Sequence, residues 1–299
     1  MKKFLPIFLV LFSTYSLSGP LELKHKSISL NGIYSSIPEK SKSIALILHG
    51  TRGHQNLEII TMLRDSLLEN GVDSLTINLS YGINNRTNDF LSCDIEHKHK
   101  QSNSQDEIKL WYEYIKKIGY EKIYLIGHSR GGLDIINFHE SLDSKNQNSI
   151  NSIFLLAPIS ETWESLLDRY KKKYNIDIWD LVKSKTEKLK ISFLGCEDAT
   201  VYRDTFLDYY LVGGDAYFFA SDATRFADHG LNLHLANTSG KVHVITASED
   251  TITPNTHKIV KDIAARKTNI ELYQVEGSDH FFRDFYFDDL MEIVMDGTN

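Results

Sequence analysis

The strongest constraint on this chain is the stretch Ile123 to Gly132. An apolar, β-type run, Ile123-Tyr124-Leu125-Ile126, ends in Gly127, a serine follows at position 129, and a second glycine stands at 131. The residues after it, Leu133 to Leu142, predict a helix. A G-x-S-x-G at a strand-to-helix junction is a nucleophile elbow, a sharp turn that holds a serine hydroxyl exposed. The demand is steric. Any side chain larger than hydrogen at 127 or 131 is expected to strike the neighbouring strand and helix.

The elbow fits the pattern around it. Buried strands are predicted at Ser43–Leu48, Asp73–Leu79, Lys122–Ile126, Ser152–Ala157, Lys241–Ala247 and Asn269–Val275, with an earlier one at Ser27–Tyr34. Helices are predicted at Leu57–Asn70, Gln105–Ile118, Asn255–Arg266 and Phe282–Met295. In the first, Leu57, Ile60, Leu63, Leu67 and Leu68 mark an apolar face, and Gly71 stops it. Strands alternating with helices of this length predict an α/β fold, a mostly parallel central sheet covered on both faces. No internal repeat or low-complexity tract interrupts it.

One segment breaks the alternation. Between about 160 and 240 the chain has helix-like stretches, one candidate short strand at Lys190–Leu194, and many aromatics: Trp163, Tyr170, Tyr174, Trp179, Phe206, Tyr209, Tyr210, Phe218, Phe219 and Phe226. An insertion this long is usually functional. It is read as a helical lid over the strand ends, with most of those aromatics forming its own small core. The polar loop Ser80–Asn103 holds Cys93 and the pair His97 and His99. These histidines share a face only in an extended segment, and with no third ligand evident no metal is expected.

The N-terminus has the layout of a secretory signal peptide: Met1-Lys2-Lys3, the apolar run Phe4 to Phe12, then small and polar residues to Gly19. The apolar run is far short of the ~20 residues of a membrane span. Ser16 and Ser18 suit the positions before a cut, placed after Ser18 or Gly19. No cysteine follows the run, so a lipoprotein anchor is not supported. The domain reading is a signal peptide over 1–18 and one domain over 19–299, exported to the periplasm or secreted. Losing Lys2 and Lys3, with no acidic residue lost, takes the formal charge from −7 to −9. So acidic a chain, its basic residues scattered, is a poor nucleic-acid binder.

With the elbow, the strand order and two later loops in hand, the chain resembles the α/β-hydrolase superfamily, and within it secreted bacterial serine hydrolases of the esterase and lipase type. The similarity covers about Ser43 to the C-terminus, less well through the insertion. The family's order of nucleophile, acid and histidine maps onto Ser129, onto Asp250 in Ser248-Glu249-Asp250-Thr251, and onto His280 in Gly277-Ser278-Asp279-His280. Glu249 and Glu161 are the other candidate acids, and His257 the other candidate base. His49 and His128 occupy motif positions that usually serve structure. The oxyanion donors are expected to be the backbone N–H of Arg130 and that of Thr51, with Arg52 as runner-up, in the loop His49-Gly50-Thr51-Arg52-Gly53.

The resemblance implies hydrolysis of a small-molecule carboxylic ester through an acyl-enzyme, without a cofactor. A peptidase or amidase with the same triad, and a binding protein that has lost catalysis, are the alternatives. Arg130 stands where many esterases carry a smaller or apolar residue. Its charge and that of Arg52 can serve substrates bearing a carboxylate or act in structural salt bridges, the latter being the favoured reading. Cys93 follows a parallel strand and Cys196 lies in the insertion that starts at the same sheet edge. In an exported chain they are expected to pair, the alternative being two separate thiols.

Overall fold

The structure, a computed structural model, describes residues 17–39, 41–160, 163–210 and 231–298, without the side chains at 17, 163–166, 179, 181, 182, 232 and 233. The signal stretch up to residue 16, Glu161, Phe218, Phe219 and Phe226, and the side chains of Trp163 and Trp179, lie outside the described residues.

An eight-stranded sheet runs through the molecule. Its strands are β1 (Leu17–His25), β2 (Ile28–Ser36), β3 (Ser43–Leu48), β4 (Asp73–Ile77), β6 (Lys122–His128), β7 (Ile150–Leu156), β10 (Val242–Ala247) and β11 (Ile270–Val275), in the order β1-β2-β4-β3-β6-β7-β10-β11. From β4 to β11 every pairing is parallel, whereas β1 and β2 add an antiparallel edge. The central strands are apolar because both faces are covered. In β3, Ile44, Leu46 and Leu48 enter one core while Ala45 and Ile47 enter the other, the two-residue period of a strand.

Two helical layers cover these faces. On one side lie α1 (Glu58–Glu69) and α10 (Tyr286–Asp296), which bury Ile60, Leu63 and Leu67, and Phe287, Leu290 and Val294. The other holds α2 (Gln101–Lys117), α3 (Arg130–Ser141), α8 (Leu231–Asn237) and α9 (Thr256–Ala264), with Trp111, Ile136 and Val260 at its centre. The short α4 (Ser144–Gln147) leads into β7. Gly71, at φ +77°, ends α1 as expected, since this left-handed backbone carries no Cβ penalty in glycine.

Two local differences from the sequence reading have physical causes. No strand is predicted between Gly19 and Ser27, yet β1 lies there: Leu21 and Leu23 alternate with polar neighbours and pack on the core. And α2 begins at Gln101, four residues before its predicted start. Its first turn has no cap of its own. Asp208, from the insertion, accepts the backbone N–H and hydroxyl of Ser102 at 3.0 and 2.9 Å. That cap comes from across the fold, so no local pattern announces it.

The insertion contains α5 (Trp163–Tyr174), α6 (Ile178–Lys183), the hairpin β8 (Lys188–Phe193) and β9 (Cys196–Tyr202), and α7 (Arg203–Tyr210). The short β5 (Glu96–His97), from the loop after β4, pairs in parallel with β9. A separate core forms here, with Tyr170, Phe193, Phe206, Tyr209 and Tyr210 buried together. Most of the described aromatics thus serve the insertion's own packing. Cys93 and Cys196 form a disulfide across 103 residues of sequence, with Cα atoms 5.4 Å apart, and tie the insertion to the body.

Candidate active site

Ser129 links β6 to α3 with φ +56° and ψ −121°, a conformation costly for a residue with a side chain. Neighbours hold it there. Its N–H donates to the Leu156 carbonyl at 2.8 Å, and its carbonyl accepts from Gly132 at 3.0 Å. The glycine requirement is as severe as expected. A Cβ at position 127 would lie 2.3 Å from the Gly131 oxygen, and one at 131 would lie 2.5 Å from the His49 oxygen. Gly50 is a less severe case, since a Cβ there would meet the Ser129 Cβ at 3.1 Å.

The loop after β3 therefore runs beside the elbow. Gly53 closes a turn onto the Gly50 carbonyl at 3.1 Å. Among the described residues the Thr51 N–H donates to no protein atom, which leaves it free to meet an oxyanion, whereas the Arg52 N–H faces the Tyr81 phenol oxygen. His49 braces this loop: its Nδ1–H donates to the Gly50 carbonyl at 2.8 Å, and its Nε2 accepts the Leu79 N–H at 3.2 Å. Burial, reinforced by Arg86, lowers its pKa to about 3, so it stays neutral in this role.

Asp250 and His280 come together from the loops after β10 and β11. His280 Nδ1 lies 2.8 Å from Asp250 Oδ2, and both residues are buried. Asp250 also accepts the N–H groups of Ile252 and Thr253 at 2.7 and 2.8 Å, and the Thr253 hydroxyl at 2.5 Å. Burial opposes its charge, but the hydrogen bonds from His280 and Thr253 prevail and hold its pKa at about 2. In the neutral tautomer whose Nδ1–H points at Asp250, Nε2 is the acceptor. The residue preceding Ser129 joins the two parts. His128 Nε2 donates to the His280 carbonyl at 2.9 Å, with ring centroids 4.9 Å apart. Ser129 Oγ makes no hydrogen bond to His280 in this structure, a looseness common in unliganded sites.

The rival candidates lie elsewhere. Glu249 is exposed. His257, on α9, bonds to the Thr246 hydroxyl at 2.9 Å. His97 and His99 hydrogen-bond each other at 3.0 Å, and His99 reaches the Tyr209 hydroxyl at 2.9 Å. Among the described residues no cluster of three or more His, Cys, Asp or Glu side chains is placed to hold a metal ion.

One positioning residue escaped the sequence reading. Buried Arg86 donates to the carbonyls of Gly53 at 2.7 Å, Asp89 at 2.8 Å, Leu79 at 3.0 Å and Arg52 at 3.1 Å. It ties the loop beside Ser129 to the end of β4. A single arginine in a polar loop carries no signal of this role. The Arg52 guanidinium lies against the Cys93–Cys196 disulfide, with no ion pair among the described residues.

No protein-family profile and no curated protein matches the sequence. Solved structures do match the fold. Est1E from Butyrivibrio proteoclasticus is 16% identical with a TM-score of 0.64, over 94% of this chain and 99% of that one. The Pyrococcus furiosus esterase Pf2001 is 13% identical with a TM-score of 0.58, over 94% and 89%. An alpha-beta serine hydrolase homologue from Coxiella burnetii is 12% identical with a TM-score of 0.53, over 93% and 96%. With its largely parallel sheet, its elbow and these neighbours, the protein has the α/β-hydrolase fold.

Proposed function

We propose that this protein is a serine hydrolase that cleaves carboxylic esters through a covalent acyl-enzyme, outside the cytoplasm. The observation that carries the reading is the buried Asp250–His280 pair, bonded through His128 to the strained turn of Ser129. Ser129 Oγ attacks the ester carbonyl while His280 Nε2 takes its proton, and Asp250 stabilises the imidazolium that forms. The N–H groups of Arg130 and Thr51 receive the oxyanion. His280 returns the proton to the departing alcohol, and a water repeats the sequence to release the acid. The export reading rests on the Met1–Gly19 pattern and is favoured by the disulfide.

An organophosphonate probe tests the mechanism. It should label Ser129 alone, and Ser129→Ala should abolish labelling and ester turnover. An unlabelled parent protein that turns over no ester would favour the binding-protein alternative. Matched amide substrates decide between esterase and amidase. For export, the mature N-terminus should be Gly19 or Pro20, and an intact Met1 in the exported fraction would refute the cut.

A further inference from the structure

Arg130 follows Ser129 and is the first residue of α3. It is only 9% exposed, yet its guanidinium hydrogen-bonds no described residue, and no carboxylate among the described residues lies within 4.0 Å of it. Its Nε is enclosed without any acceptor. Arg86, similarly buried, uses its guanidinium on four carbonyls. A guanidinium with an enclosed N–H and no acceptor among the described residues is costly, and a ring face alone does not take its hydrogen bonds.

The direction of the side chain gives the context. Its guanidinium carbon lies 5.5 Å from the ring centre of Tyr209, on insertion helix α7. A chain rooted beside the nucleophile and ending against the lid spans the space between them. The tyrosines and the histidine around it are neutral at neutral pH. Burial raises Tyr81 to about 12 and Tyr209 well above its usual range, and lowers His99 to about 3. Asp134, one turn along α3, gives Oδ1 to the Gln101 amide at 2.8 Å rather than to Arg130. Burial pushes its carboxyl up, against the pull of Arg130 and Gln101.

We propose that the Arg130 guanidinium is a carboxylate receptor, and that the substrates are esters carrying a free carboxylate. The planar fork of arginine matches a carboxylate with two parallel hydrogen bonds. This rests on the esterase reading above and names its substrate class. A site that supplies such bonds discriminates against an analogue that lacks their acceptor.

The test compares two pairs of activated esters. One is the mono-para-nitrophenyl ester of glutaric acid against its counterpart with an isopropyl group in place of the carboxylate. The other carries the same exchange on the alcohol side. The parent should favour the carboxylate member of at least one pair by about tenfold or more in kcat/KM. Arg130→Met should bring that ratio to about one, and Arg130→Lys should retain part of it. On Ser129→Ala protein, calorimetry should show the monomethyl ester of glutaric acid binding more tightly than its isopropyl counterpart. A parent that is labelled at Ser129 but prefers neither carboxylate ester overturns the receptor and leaves the esterase reading standing. A parent that is neither labelled nor active overturns both. A preference that survives in Arg130→Met places the anion site elsewhere and also refutes the proposal.

Discussion

Asp250 turns Oδ2 to His280 Nδ1 at 2.8 Å, with the Thr253 hydroxyl on the same oxygen, while Oδ1 takes the Ile252 and Thr253 N–H groups. The backbone bonds fix the carboxylate, so the imidazole is oriented by a group that cannot itself turn. Asp250→Asn should lower kcat by about 10⁴, because the amide favours the wrong imidazole tautomer. Exposed Glu249, changed to Gln, should stay close to the parent. Steady-state kinetics on both variants checks the assignment, and a severe loss at Glu249 would move it.

Arg86 offers a test of loop positioning. Arg86→Ala removes the donors that hold the Arg52 and Gly53 carbonyls, so the nearby Thr51 N–H loses its aim at the oxyanion. A misplaced oxyanion donor costs on the order of 10² in kcat. KM should change much less, and added guanidinium should restore part of the rate. Equal losses in activity and folded fraction, without rescue, would reduce Arg86 to a stabilising role.

The disulfide makes a stability prediction. Closing a loop of 103 residues is worth at most about 4–5 kcal/mol in the chain-entropy model. Reduction should lower the melting temperature and expose the insertion to proteolysis before the sheet. Alkylation of the unreduced, denatured protein should add no mass, whereas two modified thiols would rule the bridge out.

The contact between His97, His99 and Tyr209 should weaken in acid. Burial lowers His97 to about 4, helped by Arg52, and His99 to about 3, helped by His97 and Arg130. Unfolded histidine titrates near 6.5, so below that value the open chain binds more protons than the closed one. The stabilisation is therefore complete above about 6.5 and is lost as pH falls towards 4 and 3. The mechanism is local, since protonating both rings leaves two N–H donors facing each other. His49 and His128, lowered to about 3 and 4, act in the same direction on the body. Hydrogen exchange in α7, corrected for intrinsic rates, should rise on acidification, and more gently in His99→Gln.

Features whose physics is local were readable in the chain. Gly127 and Gly131 flank Ser129 because the turn leaves no room for a Cβ, and that necessity is written in five adjacent residues. The apolar periodicity of α1 and the buried runs of β3, β6 and β10 likewise follow from short-range patterns. Asp250 and His280 were legible only through the order of motifs along the chain, and their 2.8 Å contact spans 30 residues. Tertiary structure alone decided the rest. Asp208 caps a helix more than 100 residues away, and Arg86 finds its acceptors among carbonyls from three separate places in the chain. Most telling is Arg130, favoured from sequence as a salt-bridge partner, whose Nε is enclosed without an acceptor and which meets no carboxylate within 4.0 Å among the described residues. Whether a charge finds a partner depends on which segments fold against it, and no pattern of neighbours along the chain encodes that.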